Sequence, residues 1–287
     1  MFAIYRRELK SYMLSLYGPL FIGLMLIVSG IFTFVYNYRS LSSGFEYTVG
    51  YIAMGMIVLI PLLCMRSIAQ EKKTGTIRLL YALPLKSIQI ILGKYLALLT
   101  VVAIPIGVMA FYPLILSTHG SVYFPKAYVS LLMLFCLGAA LTALCMFLSS
   151  VTDSMVVASV LGIGSCLLLY LINFISVIFP TAPAASFVAV ILLCLLLGLI
   201  LFTQTKNWLI GLGGTVLCLI PAVIVFIMNS SLYEALFSKL LNKLAFFSMI
   251  NNLAYGSFKL SMPIVFISTV IFFFALTVLS LEKKRNE

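Results

Sequence analysis

Charge is what this sequence has least of. Asp, Glu, Lys and Arg together make up 9% of its 287 residues, and only seven of them are acids. A soluble domain carries about 25% charged residues, so no water-facing surface can be built from this set. With 63% hydrophobic residues and a mean hydropathy of +1.22, a polytopic membrane protein is the class that is left. The seven acids are Glu8, Glu46, Glu71, Asp153, Glu234, Glu282 and Glu287, and all stand at the ends of apolar runs or in the links between them. The one histidine, His119, is in a link as well. No apolar run has an ionisable group near its middle. Ion relays need such groups inside the membrane, which argues against a proton-driven carrier. A sodium site of backbone carbonyls and hydroxyls stays open.

Catalytic signatures are missing too. There is no GxxxxGK[ST], no HExxH, no GxSxG and no pair of carboxylates at working distance. Lys94 follows Gly93, but the upstream glycine and the following Ser/Thr of a phosphate-binding loop are absent. The chain is therefore expected to be no enzyme, with no catalytic residue, no metal site and no bound cofactor. Energy for uphill transport has to arrive from another polypeptide. The six cysteines (Cys64, Cys136, Cys145, Cys166, Cys194, Cys218) lie inside apolar runs without CxxC or Cys/His spacing, so they read as small packing residues.

What is present is a series of apolar runs of crossing length. Residues 1–16 form an amphipathic inner-surface helix carrying Arg6, Arg7, Glu8 and Lys10. Eight spans follow, at about 17–36, 47–64, 90–116, 127–148, 155–179, 186–202, 209–228 and 263–281. Pro61 is expected to kink the end of span 2, and Pro105 and Pro113 to break span 3. Asp153 or Ser154 can cap span 5. Of spans 6 and 7, one is open to a re-entrant reading. The N-terminal run is too long for a signal h-region and no clean cleavage site follows it. The whole chain reads as one all-α permease domain.

The basic residues gather in the links, the pattern of topology charges beside anionic lipid rather than of a nucleic-acid face. With the N-terminus inside, thirteen of the 18 Lys and Arg fall on the inner side and five (Arg39, Lys126, Lys239, Lys243, Lys259) on the outer side. Both termini are thus expected in the cytoplasm of a multi-pass cell-membrane protein. Within residues 229–262, Leu232, Leu236, Leu240 and Leu244 recur every four residues. This outer amphipathic helix reads either as a cover on the membrane surface or as an external gate.

The longest charged stretch is the cytoplasmic arm, residues 65–89. Between Met65 and Tyr95 the chain places Arg66, Lys72, Lys73, Arg78, Lys86 and Lys94 with a single acid, Glu71. Inside it a short amphipathic piece, Thr76 to Ala82, stops before Leu83-Pro84, because the residue ahead of a proline is pushed out of the helical region. The bland reading is an ordinary positive-inside loop; the sharper one is a docking helix.

The run Gln70-Glu71-Lys72-Lys73-Thr74-Gly75-Thr76-Ile77, then Leu79-Leu80, Leu83-Pro84-Leu85 and Gly93-Lys94, resembles the loop after the second span in exporter-type, type-two ABC transporter permeases. Residues 247–285 are similar to the gliding-motility-type branch of that family. Arg78 departs from the pattern, which often has an acid there, and spans 6 and 7 read as a pair inserted into a six-span plan. The resemblance implies a half-transporter that pairs with a second permease copy or a homologue, and with two copies of a separate ABC ATPase that bind ATP and Mg. It implies ATPase coupling through Glu71, Lys72, Gly75, Thr76, Ile77, Arg78, Leu79, Leu80 and Pro84, and through the inner-surface helix at Arg6, Arg7 and Lys10. The rival readings are a stand-alone secondary carrier or channel and a non-transporting scaffold subunit. Tyr170, Asn173 and Ser176 either line a substrate path or pair with neighbouring helices. Apolar walls with few polar groups point to an amphiphile such as a lipid or peptide. Gly138, Ala139, Ala140, Gly162 and Gly164 on spans 4 and 5 allow close helix packing.

Overall fold

A run of about twenty apolar residues has no water to bond to in hydrocarbon, so it closes its backbone hydrogen bonds within itself as a helix. In the computed structural model this holds wherever the chain is described, namely residues 2–40, 44–76, 87–118, 120–178, 186–188, 191, 241–242, 245–254 and 261–286. All regular structure in these residues is helical. Helix α1 is Phe2–Leu14, α2 is Tyr17–Thr33, α3 is Phe45–Cys64, and α4 is the short Ala69–Thr74. Then come α5 (Ser87–Met109), α6 (Tyr112–Ser117), α7 (Phe124–Val151), α8 (Met155–Ile178), α9 (Phe246–Ala254) and α10 (Ser261–Asn286).

Among the described residues, six helical stretches are long and apolar enough to cross a membrane: 17–39, 45–74, 87–117, 124–151, 155–176 and 261–283. They correspond to spans 1 to 5 and span 8 of the sequence. The two inserted spans, and most of the outer amphipathic segment, lie outside the described residues.

Within residues 1–168 and 246–287, α3 and α7 are the central pair, and α5, α9 and α10 pack on them. The seam is filled by Met56, Ile60, Leu98, Val101, Val102, Leu134, Leu137 and Leu141, none of which has any exposed surface. Two glycines set how close the helices come. A Cβ on Gly138 would lie 3.1 Å from Val102, and one on Gly162 would lie 2.9 Å from Pro61. Gly164 differs from the expectation: nothing stands within 4 Å of its Cβ position, because it points off the packed face.

Of the two prolines expected to break span 3, only one does. Pro105 does not break its helix; α5 runs through it to Met109. A buried proline in a membrane helix is tolerated where packed neighbours and local adjustments re-satisfy the freed backbone groups. The break comes at Ala110 and Phe111, in the turn ahead of Pro113, as expected of that proline. There the bonds tighten to Ala110 N–H onto the Gly107 carbonyl and Phe111 N–H onto the Val108 carbonyl. Pro113 sits in the first turn of α6, where no N–H donor is required. The far end of span 1 opens into a π-helical segment, Phe34–Arg39. Beside it the rings of Tyr36 and Tyr51 stack at 4.2 Å, and Tyr51 also stacks on Phe32.

Helix α1 joins α2 through an elbow of two residues, Ser15 and Leu16. Ser15 N–H bonds the Ser11 carbonyl at 3.1 Å, and Leu20 N–H bonds the Leu16 carbonyl at 3.0 Å. A Cβ on Gly18 would sit 2.5 Å from the Tyr12 carbonyl oxygen, so only glycine fits the corner.

Candidate functional site

Ile4, Glu8 and Tyr12 are the buried residues of α1. Spaced by four, they share one face of the helix. A carboxylate on the buried face of an otherwise apolar stripe is costly unless it is paired, and Glu8 is paired. Lys94, in the second turn of α5, extends its ammonium to the Glu8 carboxylate at 3.1 Å, the Glu71 carboxylate at 2.7 Å and the Ser67 carbonyl at 3.1 Å. Three acceptors use the three protons of the ammonium. The Lys94 side chain is 3% exposed. Arg7 closes the cluster from the water side, 2.8 Å from the Glu8 carboxylate and 3.5 Å from that of Glu71. Two acids and two bases thus join α1, the residues after α3, and α5.

The approach that makes this possible depends on Gly93. A Cβ there would lie 3.0 Å from Ile4 and 3.3 Å from the backbone nitrogen of Tyr5. Any side chain there would have to push α1 away by a few tenths of an ångström, so glycine favours the close approach by which Lys94 reaches Glu8. Burial pushes the Glu8 carboxyl up, but the charges of Lys94 and Arg7 and their hydrogen bonds outweigh it and hold the group below its ordinary value. The Tyr12 phenol, buried on the same face, is pushed up by loss of water, with Glu8 and Glu71 adding to it.

A second fastening ties the same segment to α7. The Ser149 hydroxyl accepts the backbone N–H groups of Ile68 at 3.3 Å and Ala69 at 3.0 Å. These donors at the start of α4 have no helical partner, so α4 is capped by a hydroxyl 80 residues away in sequence. The Lys72 ammonium donates to the Ser150 carbonyl and stands 3.6 Å from the Asp153 carboxylate. Gly75 ends α4 in the left-handed region, φ 73°, and its N–H bonds the Lys72 carbonyl at 3.1 Å. At that angle a glycine is unstrained and a Cβ is not.

Of the residues singled out in the sequence, Arg7, Glu71, Lys72, Gly75 and Thr76 therefore meet at one end of the bundle. Thr76 adds a 2.9 Å hydroxyl contact to Thr74. Arg6 and Lys10 are exposed on α1, away from the cluster. Ile77, Arg78, Leu79, Leu80 and Pro84 lie outside the described residues. In the separate unit 169–245, the Ser176 hydroxyl donates to Asn242 at 2.7 Å, and the Tyr170 ring stands 6.0 Å from that of Phe174. The side chain of Asn173 is outside the description. Among the described residues no group of three or more His, Cys, Asp or Glu is placed to hold a metal.

The sequence reading missed Glu8, Lys94 and Ser149 as partners, and missed α4 altogether. The available signal was an acid in register with Ile4 and Tyr12, and a lysine directly after the glycine that opens a span. At the other end of the bundle a different pair, Lys126 and Glu46 at 2.8 Å, joins the starts of α7 and α3.

Between α1 and the segment 66–76 lies a cleft of about 650 Å³, with Arg7, Tyr12, Arg66, Ser67 and Gln70 on its walls. Comparison with curated proteins returns no match. A family described as "ABC-2 family transporter protein" matches residues 4–284. That covers all six crossing helices and the whole ionic cluster. The chain belongs to the ABC-2 transporter family, and is a multi-pass membrane permease of the ABC transporter class.

Proposed function

We propose that this permease is one half of an ATP-driven exporter, moved by a separate ATPase that grips the arm at residues 65–89. The observation that carries the reading is Lys94, which bonds Glu8 of α1 and Glu71 of the arm at once, from inside a membrane-crossing helix. A push on either cytoplasmic element then reaches α5 through short, shielded ion pairs instead of through a slack loop. Ser149 and Lys72 pass the same push to α7. Glu71, Lys72, Gly75 and Thr76 set the arm's shape, and Ile77, Arg78, Leu79, Leu80 and Pro84 form the surface the ATPase grips. Arg6 and Lys10, exposed on α1, offer it a second, basic contact.

In this account a second permease copy or a homologue completes the pathway, two ATPase subunits bind ATP and Mg, and nucleotide biases the pair between inward- and outward-open states. The cargo is an amphiphile, lipid- or peptide-like, and both termini face the cytoplasm of a cell membrane. Residues 247–285 support placing the chain in the gliding-motility-type branch.

The test is reconstitution of this chain with the ATPase that co-purifies with it. ATP-dependent flux is expected, lost with an active-site-dead ATPase. Gly75→Pro or Leu79→Asp is expected to abolish ATPase capture while membrane insertion stays intact. Flux without any ATPase would instead identify a stand-alone carrier. Capture without flux would identify a scaffold.

A further inference from the structure

The cleft beside the ionic cluster presents two side chains, Arg66 and Ser67, that the ion pairs do not engage. Its two acids, Glu8 and Glu71, are both engaged by Lys94 and Arg7. Its walls carry two bases, Arg7 and Arg66, against these two acids, and Lys94 behind the acids adds a third base. Arg66 has no carboxylate partner among the described residues. Its guanidinium lies over the Tyr17 ring, 5.1 Å from the centroid. A ring against its face holds the guanidinium in place and leaves the in-plane N–H groups free to form a fork.

Beside it is Ser67, 3% exposed, whose hydroxyl finds no hydrogen-bond partner. A buried hydroxyl without a partner is costly and uncommon. Gln70, Ser11 and Tyr12 add further polar wall. At about 650 Å³ the cleft holds the volume of roughly twenty waters, enough for a glycerophosphate group. It also lies where α1 meets the membrane-crossing helix α2, and Phe2, Met13 and Leu14 are exposed apolar side chains of α1; both put the cleft at the membrane surface, the depth at which lipid phosphates sit.

We propose that this cleft is a binding site for a phosphate ester of net negative charge, with Arg66 as the forked donor, Arg7 as the second cation and Ser67 as the hydroxyl partner. The source most consistent with its depth is an anionic phospholipid headgroup; a soluble phosphate ester shares the chemistry. This goes beyond transport coupling and its test involves no ATPase, so the two readings stand or fall separately.

The full chain, purified in detergent, is titrated with phosphatidylglycerol, phosphatidylcholine and glycerol 3-phosphate, with bound ligand counted by native mass spectrometry. One phosphatidylglycerol per chain is expected, held more tightly than phosphatidylcholine. Arg66→Gln is expected to weaken it about tenfold, the loss of one forked charge-assisted contact. Ser67→Ala, a small change that leaves the fold intact, is expected to weaken it severalfold. Lys126→Gln, at the far end of the bundle, is expected to change nothing. If glycerol 3-phosphate binds as tightly and displaces the lipid, the site is a soluble-phosphate site and the phosphate chemistry stands. If neither Arg66→Gln nor Ser67→Ala alters the binding of any of the three, the proposal is overturned. It is equally overturned if those variants lose a protein partner while lipid binding is untouched.

Discussion

At the scale of single residues, Lys94 decides most. It is a buried ammonium with three acceptors, held by two carboxylates that would otherwise face each other. Removing one member of a buried pair leaves an uncompensated charge, at a cost of about 3–5 kcal/mol. Lys94→Met is therefore expected to lower the thermal unfolding midpoint in detergent sharply. Adding Glu8→Gln and Glu71→Gln to it is expected to recover most of that loss, because no buried charge is then left unpaired and Arg7, the one charge remaining, is exposed to water. If the single variant melts like the parent, the cluster is not a structural tie. The pH dependence has a fixed sign. The Glu8 carboxyl is held below its unfolded value, which is about 4.3. Its contribution is complete above that value and is lost as pH falls through the lower, folded one. Melting curves from pH 6 down to pH 3 are expected to show that loss, and Glu8→Gln to flatten it. None of this pairing was legible in sequence: Glu8 and Lys94 are 86 residues apart, and neither belongs to a local pattern that names the other. In the sequence Lys94 counts as an inner-side cation and as part of the Gly93-Lys94 element of the arm pattern, with no partner named.

At the scale of elements, the apolar runs and Pro113 were legible and Pro105 was not. Apolar runs closed by charged or turn residues gave α3 its end at Cys64 and α8 its bounds, because hydrocarbon thickness and helix length are the same constraint. Pro105 misled because its effect depends on packing, which the sequence does not display. Helix α4 went unseen because Ala69–Thr74 has no cap of its own; its cap is Ser149, supplied by α7. Gly93 shows the reverse case, a small residue whose reason is tertiary. Gly93→Val is expected to push α1 off α5, since even a Cβ would meet Ile4 at 3.0 Å. The readout is faster proteolysis of residues 2–14 in the folded protein, and unchanged protection would show that α1 docks by another contact.

At the scale of the whole molecule, the described ion pairs within residues 1–168 and 246–287 sit at the two ends of the bundle. Arg7, Glu8, Glu71, Lys72 and Lys94 mark one end, and Glu46 with Lys126 the other. In intact cells, a cysteine at Lys126 is expected to react with an impermeant maleimide from outside, and one at Lys10 only after permeabilisation. The opposite result would invert the orientation and remove the arm from any cytoplasmic motor. The elbow at Ser15 and Leu16 gives this sorting a mechanical meaning. Backbone hydrogen bonds run into it from both sides, and Gly18 fills the corner without slack. Helix α1 and the first span are therefore expected to turn together as a bell crank, a surface arm tipped by a few degrees swinging a membrane-crossing arm by the same angle.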